Sequence, residues 1–146
     1  MENIQEQAIK AFSSGLNCAQ AVLTAYSEKL NFDKDFATSV SCGFGGGMGR
    51  LQETCGAVTG AFMVLGIYNC KKYVENKDRK DKTYPMVLDF NRKFIEIHHT
   101  NTCKGLLGCD LNTDEGQQYA KDHNVHGTIC EKCITDAVGI LEEMMR

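Results

Sequence analysis

Residues 53–69 carry apolar side chains on nearly every helical face: Ala57, Val58, Ala61, Phe62, Met63, Val64, Leu65 and Ile67. A helix without a polar side belongs at the centre of a fold, because each face left in water forfeits roughly 25 cal/mol per Å² of burial. The rest of the chain is patterned to cover it. Residues 3–13 read as a short helix stopped by Ser13-Ser14-Gly15, and a second helix runs from Cys18 to about Leu30 with Ala19, Val22, Leu23, Tyr26 and Leu30 on one stripe. Short helices are expected over 33–41, 103–108 and 113–123, and a final amphipathic one over 129–145 through Ile134, Ala137, Val138, Leu141 and Met145. The charged stretch 71–82 reads as a solvated connection or an exposed helical turn, with Pro85 in the first turn of a helix ending near His99. Sustained alternation and Asn-Gly hairpins are absent, and there is one proline. The expectation is a single all-α domain over 1–146, a compact bundle of about five to seven helices around the apolar one.

A chain of 146 residues with 42% hydrophobic and 24% charged residues can bury an adequate core without cross-links. Its net charge of −3 argues against nucleic acid or an anionic membrane as the main partner. No window approaches the ~18 apolar residues of a membrane span, and the opening residues lack a signal-peptide core. A cytoplasmic protein is expected, where thiols stay reduced. Eight cysteines in that compartment point to metal binding, catalysis or redox sensing rather than a disulfide scaffold.

Four of these cysteines fall at expected helix starts: Asn17-Cys18, Thr54-Cys55, Thr102-Cys103 and Thr128-Ile129-Cys130. A helix N-terminus offers unpaired N–H groups and about half a positive charge, which favour thiolate over thiol. Thiolate is the form that attacks disulfides and binds metals.

The glycines around them are equally specific. In Cys55-Gly56-Ala57-Val58-Thr59-Gly60, Gly56 and Gly60 share one helix face, giving room for a neighbouring backbone or a bulky cofactor. Each mid-helix glycine costs roughly 1 kcal/mol relative to alanine, so something must offset it. The run Gly45-Gly46-Gly47-Met48-Gly49-Arg50 must turn sharply or approach something closely. It lacks the ending of a phosphate loop, so its expected role is to deliver Cys55 to its site or to offer N–H groups to an anion. Cys130-Glu131-Lys132-Cys133 places two sulfurs one helical turn apart, and Cys103 and Cys109 flank a short segment that could also bring them together. Cys42 and Cys70 read as ordinary core or surface cysteines. His98 and His99 close a helix, where a cation suits the dipole. No Ser/His/Asp set and no defensible acid–base carboxylate pair is present, which removes conventional hydrolase chemistry.

The segments Asn17-Cys18-Ala19-Gln20-Ala21-Val22-Leu23, Phe44-Gly45-Gly46-Gly47-Met48-Gly49-Arg50 and Cys55-Gly56-Ala57-Val58-Thr59-Gly60, with Cys103 before Leu106-Leu107-Gly108 and Cys130 before Asp136-Ala137, resemble the bacterial and archaeal C_GCAxxG_C_C family. That resemblance implies a redox-active protein with four characteristic cysteines, here Cys18, Cys55, Cys103 and Cys130. The family also looks related to a domain of split-Soret cytochromes, for which a cysteine-bound iron–sulfur centre has been proposed. The leading expectation is therefore an iron–sulfur cluster held by those four, serving electron transfer with a redox partner. Gly45, Gly46, Gly47, Gly56 and Gly60 are the expected cofactor-binding positions. The alternatives are a metal-free thiol–disulfide protein with Cys55 as the attacking sulfur, and a structural zinc module. The near-uniformly apolar 53–69 helix could be completed by a partner subunit, which suggests a homodimer.

Overall fold

The computed structural model describes residues 2–146. The apolar segment forms α4 (Gly56–Lys72), in which Gly56, Ala57, Val58, Gly60, Ala61, Val64 and Leu65 are buried. Around it lie α1 (Ile4–Ser13), α2 (Cys18–Thr24), α3 (Lys34–Ser41), α5 (Asn76–His98), α6 (Cys103–Leu107), α7 (Asp114–Asp122) and α8 (Glu131–Met144). The all-α expectation holds, with eight helices and no strand among the described residues. Helices α2, α5 and α8 pack directly on α4. A fourth side of α4 opens onto an apolar groove lined by Met63, Gly66 and Ile67 together with Phe36 and Val40 of α3.

The main core joins Tyr26, Leu23, Leu65, Phe90, Phe94, Ile134 and Leu141, all essentially inaccessible to water. Phe90 takes an edge-on contact from Phe62 and stacks with Phe94. A smaller cluster of Cys103, Leu107, Leu111, Ala120 and Val125 forms beneath α6 and α7.

Two elements differ from their sequence expectation. The helix beginning at Cys18 leaves α geometry after Thr24, because Tyr26 and Ser27 bond three residues back and tighten the chain into successive turns. Residues 76–82 take the helical alternative and continue into the next helix, so Pro85 lies inside α5 instead of in its first turn. Arg79 stabilises that extra length: its Nε donates to Tyr73 O at 2.7 Å and its Nη2 to Cys70 O at 3.2 Å, capping the C-terminal end of α4. The Lys77–Asp81 pair adds an i,i+4 contact along the exposed face.

Close packing of α2 on α4 explains both helix glycines. A Cβ at Gly60 would meet Ala19 O at 2.8 Å, and one at Gly56 would meet Ala19 N at 3.0 Å and Cys18 Cβ at 3.1 Å. Gly66, on the open side, has nothing within 4 Å. The two glycines should therefore respond with opposite sign. Gly66→Ala is expected to stabilise the protein by up to about 1 kcal/mol through helix propensity. Gly60→Ala is expected to destabilise it by about 1–3 kcal/mol through overpacking. Urea denaturation of the two variants measures both effects.

Candidate functional site

Two backbone hydrogen bonds bring the middle cysteines together. Cys55 N donates to Asn101 O and Cys103 N donates to Glu53 O, each at 2.7 Å, around the isolated antiparallel bridge Thr54–Thr102. The chain reaches this bridge through the glycine run. Gly46, Gly47, Met48, Gly49 and Arg50 all have positive φ, between 63° and 68°, so the run is a turn of left-handed helix. Gly49 N closes on Gly45 O at 2.8 Å, and Gln52 N on Gly46 O at 3.1 Å. Met48 and Arg50 each accept a conformation that costs a non-glycine residue roughly 1–2 kcal/mol. Gly47 is needed for a second reason: a Cβ there would sit 2.6 Å from Cys103 Cβ.

Cys18 opens α2 behind an Asn17–Gln20 capping box, and Asn17 Nδ2 also donates to Cys42 O at 3.0 Å, tying α2 to the 42–44 turn that leads into the glycine run. Cys103 opens α6 behind Thr102, whose hydroxyl accepts from Gly105 N. Cys55 is itself the N-cap of α4, and the amides of Ala57 and Val58 face its sulfur. Cys18 and Cys103 match the expected helix starts, whereas Thr54 is drawn into the bridge and leaves Cys55 as the cap of a helix that begins at Gly56. Cys130 does not match its expected start. Thr128 Oγ1 donates back to Asn124 O at 2.9 Å instead of capping, and His126–Cys130 form a π-helical turn that runs straight into α8. The turn places His126 Nδ1 3.5 Å from Cys130 Sγ.

Cys18, Cys55, Cys103, Cys130 and Cys133 all line one cavity of about 240 Å³ at the junction of the two apolar clusters. Leu106, Leu107, Leu111, Phe12 and Ile129 supply apolar wall, and Arg50 and the His126 imidazole are its basic groups. Among the described residues no carboxylate lines it. Gly45, Gly46, Gly47 and Gly56 lie on its surface, whereas Gly60 lies outside the lining and serves the α2 contact. Cys42 and Cys70 are exposed elsewhere, and Cys109 stays outside the cavity, so it does not join Cys103 there. His98 is engaged by Asp136, with Nε2 2.9 Å from its carboxylate. Among the described residues no three His, Cys, Asp or Glu side chains stand as a ready grip for a single metal ion.

The thiols interact in two pairs. The facing Cys18 thiol and His126 hold Cys130 at about 6 despite burial. The same thiol contact raises Cys18 well above the ordinary thiol range, and Cys130 in turn raises His126. The Cys133 thiol likewise lowers Cys55, helped by the Ala57 and Val58 amides, while Cys133 itself is raised. Cys103 is pushed up to about 11, chiefly by burial, with the Gln52 amide opposing.

Sequence reasoning left Cys133 open, though the Cys-x-x-Cys spacing was its signal. His126 was missed, and its i,i+4 relation to Cys130 inside a helical run was the available clue. Gln52 had no local signal.

Fold and site together define a helical domain organised around converging thiols. The chain belongs to the family described as "Putative redox-active protein (C_GCAxxG_C_C)", whose model matches residues 16–144. It is also 25% identical over 127 residues to an uncharacterized protein of Archaeoglobus fulgidus, covering 82% of this chain and 83% of that one. No solved structure matches it.

In the metal-free protein, alkylation of Cys130 should rise with pH through about 6 and level off above it. An unperturbed thiol would respond only near ~8.5. Cys18→Ala and His126→Ala should each move the Cys130 midpoint upward, because each removes a group that stabilises the thiolate. Peptide-resolved mass spectrometry after timed iodoacetamide labelling measures the shift.

Proposed function

We propose that the protein is an electron carrier whose cavity thiols hold an iron–sulfur cluster, with Cys18, Cys55, Cys103 and Cys130 as its ligands. The observation that carries this reading is the ring of five thiols, drawn from distant parts of the chain, around one cavity without a carboxylate. Soft sulfur donors alone suit iron–sulfur clusters, zinc or copper(I), whereas oxygen-preferring cations need carboxylates or carbonyls. A single zinc would draw four ligands to about 2.3 Å from one point. The thiols here surround a space instead, and about 240 Å³ lies just below the ~300 Å³ at which drug-sized ligand pockets begin.

When bound, such a cluster supplies one-electron exchange. The chain supplies the rest. Thiolate charge at Cys55 is favoured by the Ala57 and Val58 amides at the start of α4 and by the facing Cys133 thiol. Arg50 and His126 add positive potential at the wall, and Leu106, Leu107 and Leu111 limit water. Gly47 and Gly56 let Cys103 and Cys18 approach.

A second reading is favoured by the two thiol pairs. Cys130 and Cys55 are each lowered by a facing thiol, the arrangement of an attacking and a resolving sulfur in thiol–disulfide exchange. Purification without oxygen, followed by iron, zinc and acid-labile sulfide analysis and a visible spectrum, separates the readings. Stoichiometric iron and sulfide, lost in Cys18→Ser, Cys55→Ser, Cys103→Ser and Cys130→Ser, is expected. Metal-free protein that forms Cys18–Cys130 and Cys55–Cys133 disulfides reversibly would establish the second reading, and colourless protein with stoichiometric zinc would overturn both.

A further inference from the structure

Gln52 is buried, at 5% exposure, and its backbone φ is +56°. A non-glycine residue held in that region is strained by about 1–3 kcal/mol and persists only where its surroundings over-determine it. Here they do. Gln52 N donates to Gly46 O at 3.1 Å, and Gln52 O accepts from Lys104 N at 3.2 Å, so the residue clasps the left-handed turn to the start of α6.

The side chain is fully committed as well. Its Oε1 accepts from Leu111 N at 2.7 Å, and its Nε2 donates to Cys109 O at 2.9 Å. Those two bonds fix the amide, because a flipped carboxamide would set oxygen against the Cys109 carbonyl and N–H against the Leu111 N–H. With the amide locked, Nε2 faces Cys103 Sγ at 3.9 Å, a distance suited to the large sulfur acceptor.

We infer that Gln52 is a positioning residue of the redox centre: it fixes the Cys103 sulfur at the cavity wall and directs an N–H at it. This inference rests on the cluster reading. Hydrogen bonds to ligand sulfurs stabilise the more negative, reduced form of a cluster and so raise its reduction potential. Among the described residues Gln52 directs its amide at one candidate ligand sulfur, that of Cys103.

The test measures the midpoint potential and iron content of the wild-type protein, Gln52→Met and Gln5→Met. Methionine keeps the length of the side chain and removes the donor. Gln5, which donates to Thr135 O on the α1–α8 contact, controls for loss of an amide bond far from the cavity. The expected result is wild-type iron content in Gln52→Met with a more negative potential, and no shift in Gln5→Met. Iron bound normally with an unmoved potential in Gln52→Met would overturn the inference and leave the cluster reading standing. A wild-type protein that takes up no iron would overturn both. Should Gln52→Met fail to fold or load, Gln117→Met protein carrying ¹⁵N in its glutamine side chains decides instead, because Gln117 is the other glutamine near the cavity. A ¹⁵N coupling to the reduced, paramagnetic centre is expected, and its absence would overturn the inference.

Discussion

The site depends on a two-bond antiparallel clasp between residues 53–55 and 101–103. Those bonds, both 2.7 Å, are strong backbone contacts between segments nearly fifty residues apart, and each includes the amide of a cavity cysteine. The clasp forms only because the chain before it turns left-handed through five residues. The glycines make that turn tolerable, and Gln52 anchors its far end to the 109–111 segment. Removing the turn would separate Cys55 from Cys103 and open the junction between the two apolar clusters.

The electrostatics of the cavity follow from contact between thiols more than from helix ends. Cys55 gains from both its α4 amides and Cys133. Cys130, the thiol held at about 6, lies within a continuous helical run and owes its state to Cys18 and His126. A helix N-terminus is thus one of several local sources of positive potential around this cavity, alongside Arg50 and the polarised His126. The absence of carboxylates from the wall keeps that balance favourable to negative charge on sulfur.

Much of the architecture was legible from periodicity. The apolar 53–69 stretch did become the central helix, because a segment apolar on all sides is stable only when other helices cover it. Its start moved to Gly56 since Glu53, Thr54 and Cys55 are extended by the clasp. Pro85 misled because its usual first-turn preference gave way to a longer helix anchored by Arg79 across to α4. Asn17-Cys18 and Thr102-Cys103 were readable because capping is a local interaction within four residues. Thr128 resembled a cap for the same local reason, yet its hydroxyl found an upstream carbonyl.

By itself, then, the sequence determined the helical class, the central helix, the need for glycine at 45–47 and at 56 and 60, and the list of candidate sulfurs. These are properties of short stretches of chain, set by periodicity, capping and Cβ sterics. Only the tertiary structure decided that Cys133 joins the cavity while Cys42, Cys70 and Cys109 stay out of it, and that Gly60 serves packing. It also decided that Gln52 and His126 address particular sulfurs. Those outcomes depend on which distant segments meet, and the backbone hydrogen bonds and apolar packing that bring them together leave no mark on the local pattern.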